Sequence, residues 1–175
     1  DNFSVLNVND AGFNWKVKDE IGNADVICMQ FTGPTSSYPL VWSHLDHNKK
    51  MQIQRSMNAG MLRMMKSVAE TCNSKYILPF ANFFELGNPE HKKYNKNILK
   101  NSLQDVNDFF KKTDLEVLDL IPGESWNGEF DRLQDREKFF DEEYMLEFLE
   151  KTHEEEKQME FIPKSFDINH EEIKK

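Results

Sequence analysis

The chain has 175 residues and carries 31 Asp+Glu against 22 Lys+Arg, a net charge of −9, and this length suffices to bury one domain core without staples. The acidity is uneven: residues 129–175 hold 16 acidic against 8 basic side chains, whereas residues 1–128 hold 15 against 14. A nearly neutral body without a basic cluster argues against nucleic acid as a partner, because such binding rests on phosphate neutralisation.

Only two cysteines occur, Cys28 and Cys72, too few for a secreted disulfide framework, so a reducing compartment is expected. There is no run of about 18 apolar residues that would span a membrane, and Asp1 to Asn9 lack the zones of a signal peptide. These features lead us to expect a cytoplasmic protein without a membrane partner. The chain opens on a strand-like run without an initiator methionine, from which a missing N-terminal part of the same protein is expected.

In chain order, Val5, Leu6 and Val8 form a β-prone run stopped by Asn9-Asp10-Ala11-Gly12. A weak helical stretch to Ile21 and the stop Gly22-Asn23 precede a compact apolar strand, Asp25 to Gln30. Residues 31–38 turn to Thr, Gly, Pro and Ser, a loop leaving the carboxyl end of a buried strand. Such loops border the ligand crevice of open α/β sheets, so Thr32, Ser37 and Tyr38 are candidate substrate-loop residues.

A long helix is expected from about Lys49 to Thr71, where Ile53, Met57, Met61, Met64, Met65 and Val68 recur at three- and four-residue steps. The methionines fit a core-facing stripe better than an adaptable binding surface. Tyr76 to Ala81 reads as a strand opening into a second loop that contains Asn82, a further substrate-loop candidate. Ser102 and Asp105 have the spacing of a capping box ahead of Leu103, Val106, Phe109 and Phe110. Leu115 to Ile121 returns as a strand stopped by Pro122-Gly123, and a charged helix with the narrow stripe Phe140, Tyr144, Phe148 and Leu149 is expected over 136–158. This gives an α/β body, 1–128, and an acidic helical extension, 129–175, that is either solvated or docked on another domain.

No Gly-x-Ser-x-Gly elbow, Walker loop or Gly-x-Gly-x-x-Gly is present, which leaves nucleophilic and common nucleotide-loop chemistry without support. Metal chemistry has more. His44, Asp46 and His47 place two imidazoles and a carboxylate within four residues, types that zinc and iron accept. The same residues also suit a helix N-terminus, with Asp46 complementing the dipole. Asp10, at a strand's carboxyl edge, is either a rigidly held metal ligand or a cap for the following turn. His91, in a loop, is a ligand candidate or plain surface.

In series, the runs Leu6-Asn7-Val8-Asn9-Asp10, Ala24-Asp25-Val26-Ile27, Gln30-Phe31-Thr32-Gly33 with Ser37-Tyr38-Pro39 and Trp42, Leu78-Pro79-Phe80-Ala81-Asn82-Phe83-Phe84, and Pro122-Gly123-Glu124-Ser125-Trp126 resemble the metallo-β-lactamase-like part of CMP-N-acetylneuraminate hydroxylases and their bacterial relatives. The resemblance spans about Val5 to Gly128. It implies the C-terminal half of an αββα sandwich in which Asp10 matches a metal-bridging aspartate, while the family's histidine cluster would lie upstream. His44-Leu45-Asp46-His47 imitates the end of that cluster but follows the aspartate instead of preceding it. Metallohydrolases of the wider superfamily carry a histidine where Ala81 stands, whereas the hydroxylases share the Pro-Phe-Ala pattern. In a hydrolase of this kind His91 would have to substitute from the loop.

The resemblance therefore implies a fragment of an iron-dependent monooxygenase. Its Rieske cluster would lie upstream of Asp1, its small-molecule substrate would be a nucleotide sugar, and an electron-donor protein would be its partner. The alternatives are a zinc- or manganese-dependent hydrolase of a phosphoester or lactone, and a non-catalytic interaction module.

Overall fold

A computed structural model describes residues 3–9, 12–33, 38–81, 86, 90 and 92–158. Four strands, β1 (Val5–Asn7), β2 (Val26–Met29), β3 (Tyr76–Pro79) and β4 (Glu116–Val117), form one sheet in the order β1-β2-β3-β4 with every pairing parallel. The crossovers carry α1 (Lys18–Ile21), α2 (His47–Thr71) and α3 (Leu103–Phe110). Each β-α-β step advances in the same direction, and right-handed crossovers then place the helices on one face of the sheet.

The strand pleat sorts the side chains accordingly. Leu6, Ile27, Met29, Ile77 and Val117 join Leu62, Met65, Val68 and Ala69 of α2 and Leu103, Val106 and Phe110 of α3 in the main core. Val26, Cys28, Tyr76, Leu78 and Leu118 form a smaller cluster on the other face. All four residues of β2 are buried, as its unbroken apolar run requires of a central parallel strand. The methionine stripe of α2 is core: Met65 is fully buried and Met61 and Met64 pack against the cluster.

On the second face the cover is partial. A hairpin of β5 (Ser125–Trp126) and β6 (Phe130–Asp131) brings Trp126 onto Tyr76, ring centroids 4.7 Å apart, and Phe3 closes the group at 5.8–5.9 Å from both rings. The β1 side stays open, with Val5 59% and Phe3 52% exposed. Asn127-Gly128 at the hairpin tip, with Gly128 at φ +106°, is a turn signal that the reading of the sequence passed over.

Three expected elements differ. The strand expected over Leu115 to Ile121 pairs only at Glu116–Val117, because the Asp119 carbonyl accepts instead from Arg132 and Arg136 and the Leu120 N–H turns back to Leu118. β3 ends at Pro79, since Ala81 takes a left-handed φ of +57°. The charged helix is two pieces, a 3₁₀ turn Arg136–Phe140 and α4 (Glu142–Gln158). Asp141 is extended, and its carboxylate accepts from the Tyr144 N–H at 3.0 Å, so it starts a new helix where continuity was expected.

Candidate functional site

In open α/β sheets ligands bind outside the carboxyl ends of the strands, where strand order reverses; the order β1-β2-β3-β4 has no such reversal, so the rule supplies the edge and not a crevice. Here this edge is lined by Val8 and Asn9 after β1, Gln30 to Gly33 after β2, and Phe80 and Ala81 after β3. Asp10, Ser37, Asn82 and His91 lie outside the described residues.

Asn9 is the polar group at this edge whose bonding is incomplete. Its N–H donates to Asn7 Oδ1 at 3.0 Å, but its own Oδ1 is buried and has no partner among the described residues. Such an acceptor costs on the order of 1–3 kcal/mol unless something else donates to it. Ala81 adds local strain at the same edge, as a non-glycine residue at positive φ.

Thr32 is turned into the interior. It is fully buried; its hydroxyl accepts from the Asn101 N–H at 2.9 Å and donates to the Asn101 carbonyl at 3.3 Å. It therefore fastens the loop to the segment before α3. The fastening extends along α2, where two buried polar residues sit one turn apart. Asn58 accepts from the Gly33 N–H at 2.9 Å and donates to the Leu99 carbonyl at 3.1 Å. Gln54 donates to the Asn97 carbonyl at 3.0 Å and accepts from the Leu99 N–H at 2.9 Å. Asn101 completes the network by donating to the carbonyls of Phe31 and Asn58. These residues were not singled out from the sequence, where Gln and Asn in a helix look like a solvent face.

Tyr38 is 49% exposed and meets Trp42 edge-on at 5.9 Å, and Trp42 stacks with His44 at 6.1 Å. His44, Asp46 and His47 are all exposed, and no group of three His, Cys, Asp or Glu side chains able to hold a metal occurs among the described residues. Asp46 is the N-cap of α2, accepting from the Lys49 N–H at 2.9 Å. The helix-terminus role accounts for this carboxylate. Replacing Asp46 with Ala is expected to cost about 1 kcal/mol, with the same loss of melting temperature in the presence of a chelator; a loss that vanishes with chelator would make Asp46 a ligand.

The two thiols are poor nucleophiles, since both are buried and burial raises the pKa of Cys28 and of Cys72. A concavity of about 430 Å³ lies at the amino ends of the strands between Phe3, Tyr76, Glu116 and Trp126, away from the edge where Asn9 sits. No helix among the described residues is long and apolar enough to cross a membrane. No family model, no curated protein and no solved structure matches the chain.

Proposed function

We propose that residues 1–128 are one half of a metallo-β-lactamase-like αββα sandwich belonging to an iron-dependent monooxygenase, with an N-acetyl group on a nucleotide-linked sugar as its substrate. The sandwich half of this reading is supported by the sheet, whose helices lie on one face while the β1 side of the other remains open. A parallel sheet needs cover on both faces, and a second sheet would supply it.

The observation that carries the metal reading is the buried, unpartnered Oδ1 of Asn9, the neighbour in sequence of Asp10, at the carboxyl end of β1. A carboxylate can ligate zinc or take the carboxylate place of a two-histidine iron site, whereas an oxygen-only set suits manganese. In this reading Asp10 holds the ion, Asn9 accepts from its hydration shell, and the remaining ligands come from a segment outside residues 1–175. Iron would supply oxygen chemistry. The chain's own contribution is to fix the edge: Asn58 and Asn101 clamp the loop after β2, and Ala81, which cannot ligate, leaves the end of β3 in the hydroxylase-like pattern.

The test is the absorption and iron content of the intact protein, together with turnover of an N-acetylated nucleotide sugar in the presence of an electron donor. Rieske bands are expected, and Asp10→Asn should lower turnover by no less than the roughly 100-fold that changes around a metal site can cause. A colourless, iron-free protein that hydrolyses a phosphodiester with added zinc or manganese would replace this reading by the hydrolase one.

A further inference from the structure

We propose that α4 is a docking helix for a protein partner that presents an apolar groove with a basic rim, a proposal independent of the metal reading. Tyr144 and Phe148 stand one turn apart and are 47% and 55% exposed. Phe140, before the helix, is 41% exposed and lies against Phe139 and the Arg136 guanidinium. The residues that α4 turns inward are others, Met145, Leu146 and Leu149, which are half-buried. From the far side of the helix Glu150 pairs with Lys92 at 2.5 Å, which orients the aromatic strip away from the body.

The occupant follows from charge. Glu147 is exposed beside the strip, as is Lys151 one turn on, and residues 141–158 hold eight acidic against two basic side chains. An amphipathic helix with aromatic anchors one turn apart fits a groove, and exposed Tyr and Phe give large contact area for few rotors. The acidic flank selects a basic rim and speeds encounter with it. A lipid surface is disfavoured, because membrane-surface helices carry Lys and Arg on the polar face and anionic headgroups repel carboxylates.

A synthetic amphipathic peptide of leucine and lysine serves as the probe, titrated into the whole chain and followed by amide chemical shifts. Shifts are expected at residues 140–150, with affinity falling on the order of tenfold in the double variant Tyr144→Ala/Phe148→Ala and again in Glu147→Lys. Added salt should weaken the complex, and circular dichroism should show both variants keeping their helix. Unchanged affinity in either variant would overturn the proposal. So would shifts confined to other elements, tighter association with anionic phosphatidylserine vesicles than with the peptide, or concentration-dependent shifts without peptide, which would make the occupant a second copy.

Discussion

Replacing Gly33 with alanine is expected to destabilise the protein by about 3 kcal/mol or more, the upper range for overpacking. A Cβ at this position would lie 2.5 Å from Met57 Cβ and 2.6 Å from the Met57 carbonyl carbon. These atoms belong to the backbone region of α2 and cannot swing aside. Relief would require the loop after β2 to withdraw, which breaks the bond from the Gly33 N–H to Asn58 Oδ1 and disturbs the network through Asn101. The unfolding free energy from urea titration reads the effect; a value within a few tenths of a kcal/mol of wild type would show that α2 and the loop do not approach so closely.

The second large effect centres on Glu124. Its side chain is fully buried and pairs with Arg132 at 3.0 Å and Arg136 at 2.9 Å. It also accepts from the N–H groups of Ile121 and Leu133, both at 3.2 Å. Arg132 and Arg136 reach the Asp119 carbonyl at 2.7 and 2.8 Å, and Arg132 also pairs with the Asp119 carboxylate. The cluster ties the end of β4 to the hairpin and to the turn before α4.

Burial pushes the Glu124 carboxyl up, but the bonds from Arg136, Ile121, Arg132 and Leu133 outweigh it and hold the pKa at about 2, below the ordinary 4.5. A depressed folded-state pKa means that the stabilisation is fully present above the unfolded value near 4.5 and is lost as pH falls through about 2. Replacing Glu124 with Gln leaves two arginines without their anion. The expected cost at neutral pH is about 2–4 kcal/mol, below the figure for a wholly buried pair because both arginines are partly exposed. The variant should also lack the wild type's steepening loss of stability between pH 4.5 and 2. Parallel pH profiles of the two proteins would contradict this account of the cluster.

Much of the fold is legible where local chemistry and global packing agree. The three- and four-residue spacing of the methionines places α2 within two residues of its observed start at His47. The capping box of Ser102 and Asp105 is formed at both ends, each side chain bonding the other's N–H. Β-branched and apolar runs locate β1, β2 and β3, whose parallel pairing follows from the intervening helices. What the residue pattern hides is partner choice at long range. Nothing near Thr32 announces that Asn101, 69 positions away, uses its hydroxyl twice. Gln54 and Asn58 look like solvent-facing polar residues until the segment 97–101 is laid across them. The shortened β4 likewise depends on Arg132 and Arg136 diverting the Asp119 carbonyl. At the candidate site, Asp46 shows how a ligand-like spacing can serve as a cap, because Asp at an N-cap and Asp beside a metal present the same acceptor oxygen.

Metal stoichiometry of the intact protein tests the central claim most directly, comparing wild type, Asp10→Asn and the double variant His44→Ala/His47→Ala after identical purification. A bound ion in wild type and in the histidine variant, with loss of that ion in Asp10→Asn while the urea midpoint is kept, is the result expected if the carboxyl edge of β1 contributes a ligand. Equal metal content in wild type and Asp10→Asn, with the ion lost instead from the histidine variant, would move the site to the start of α2 and contradict it.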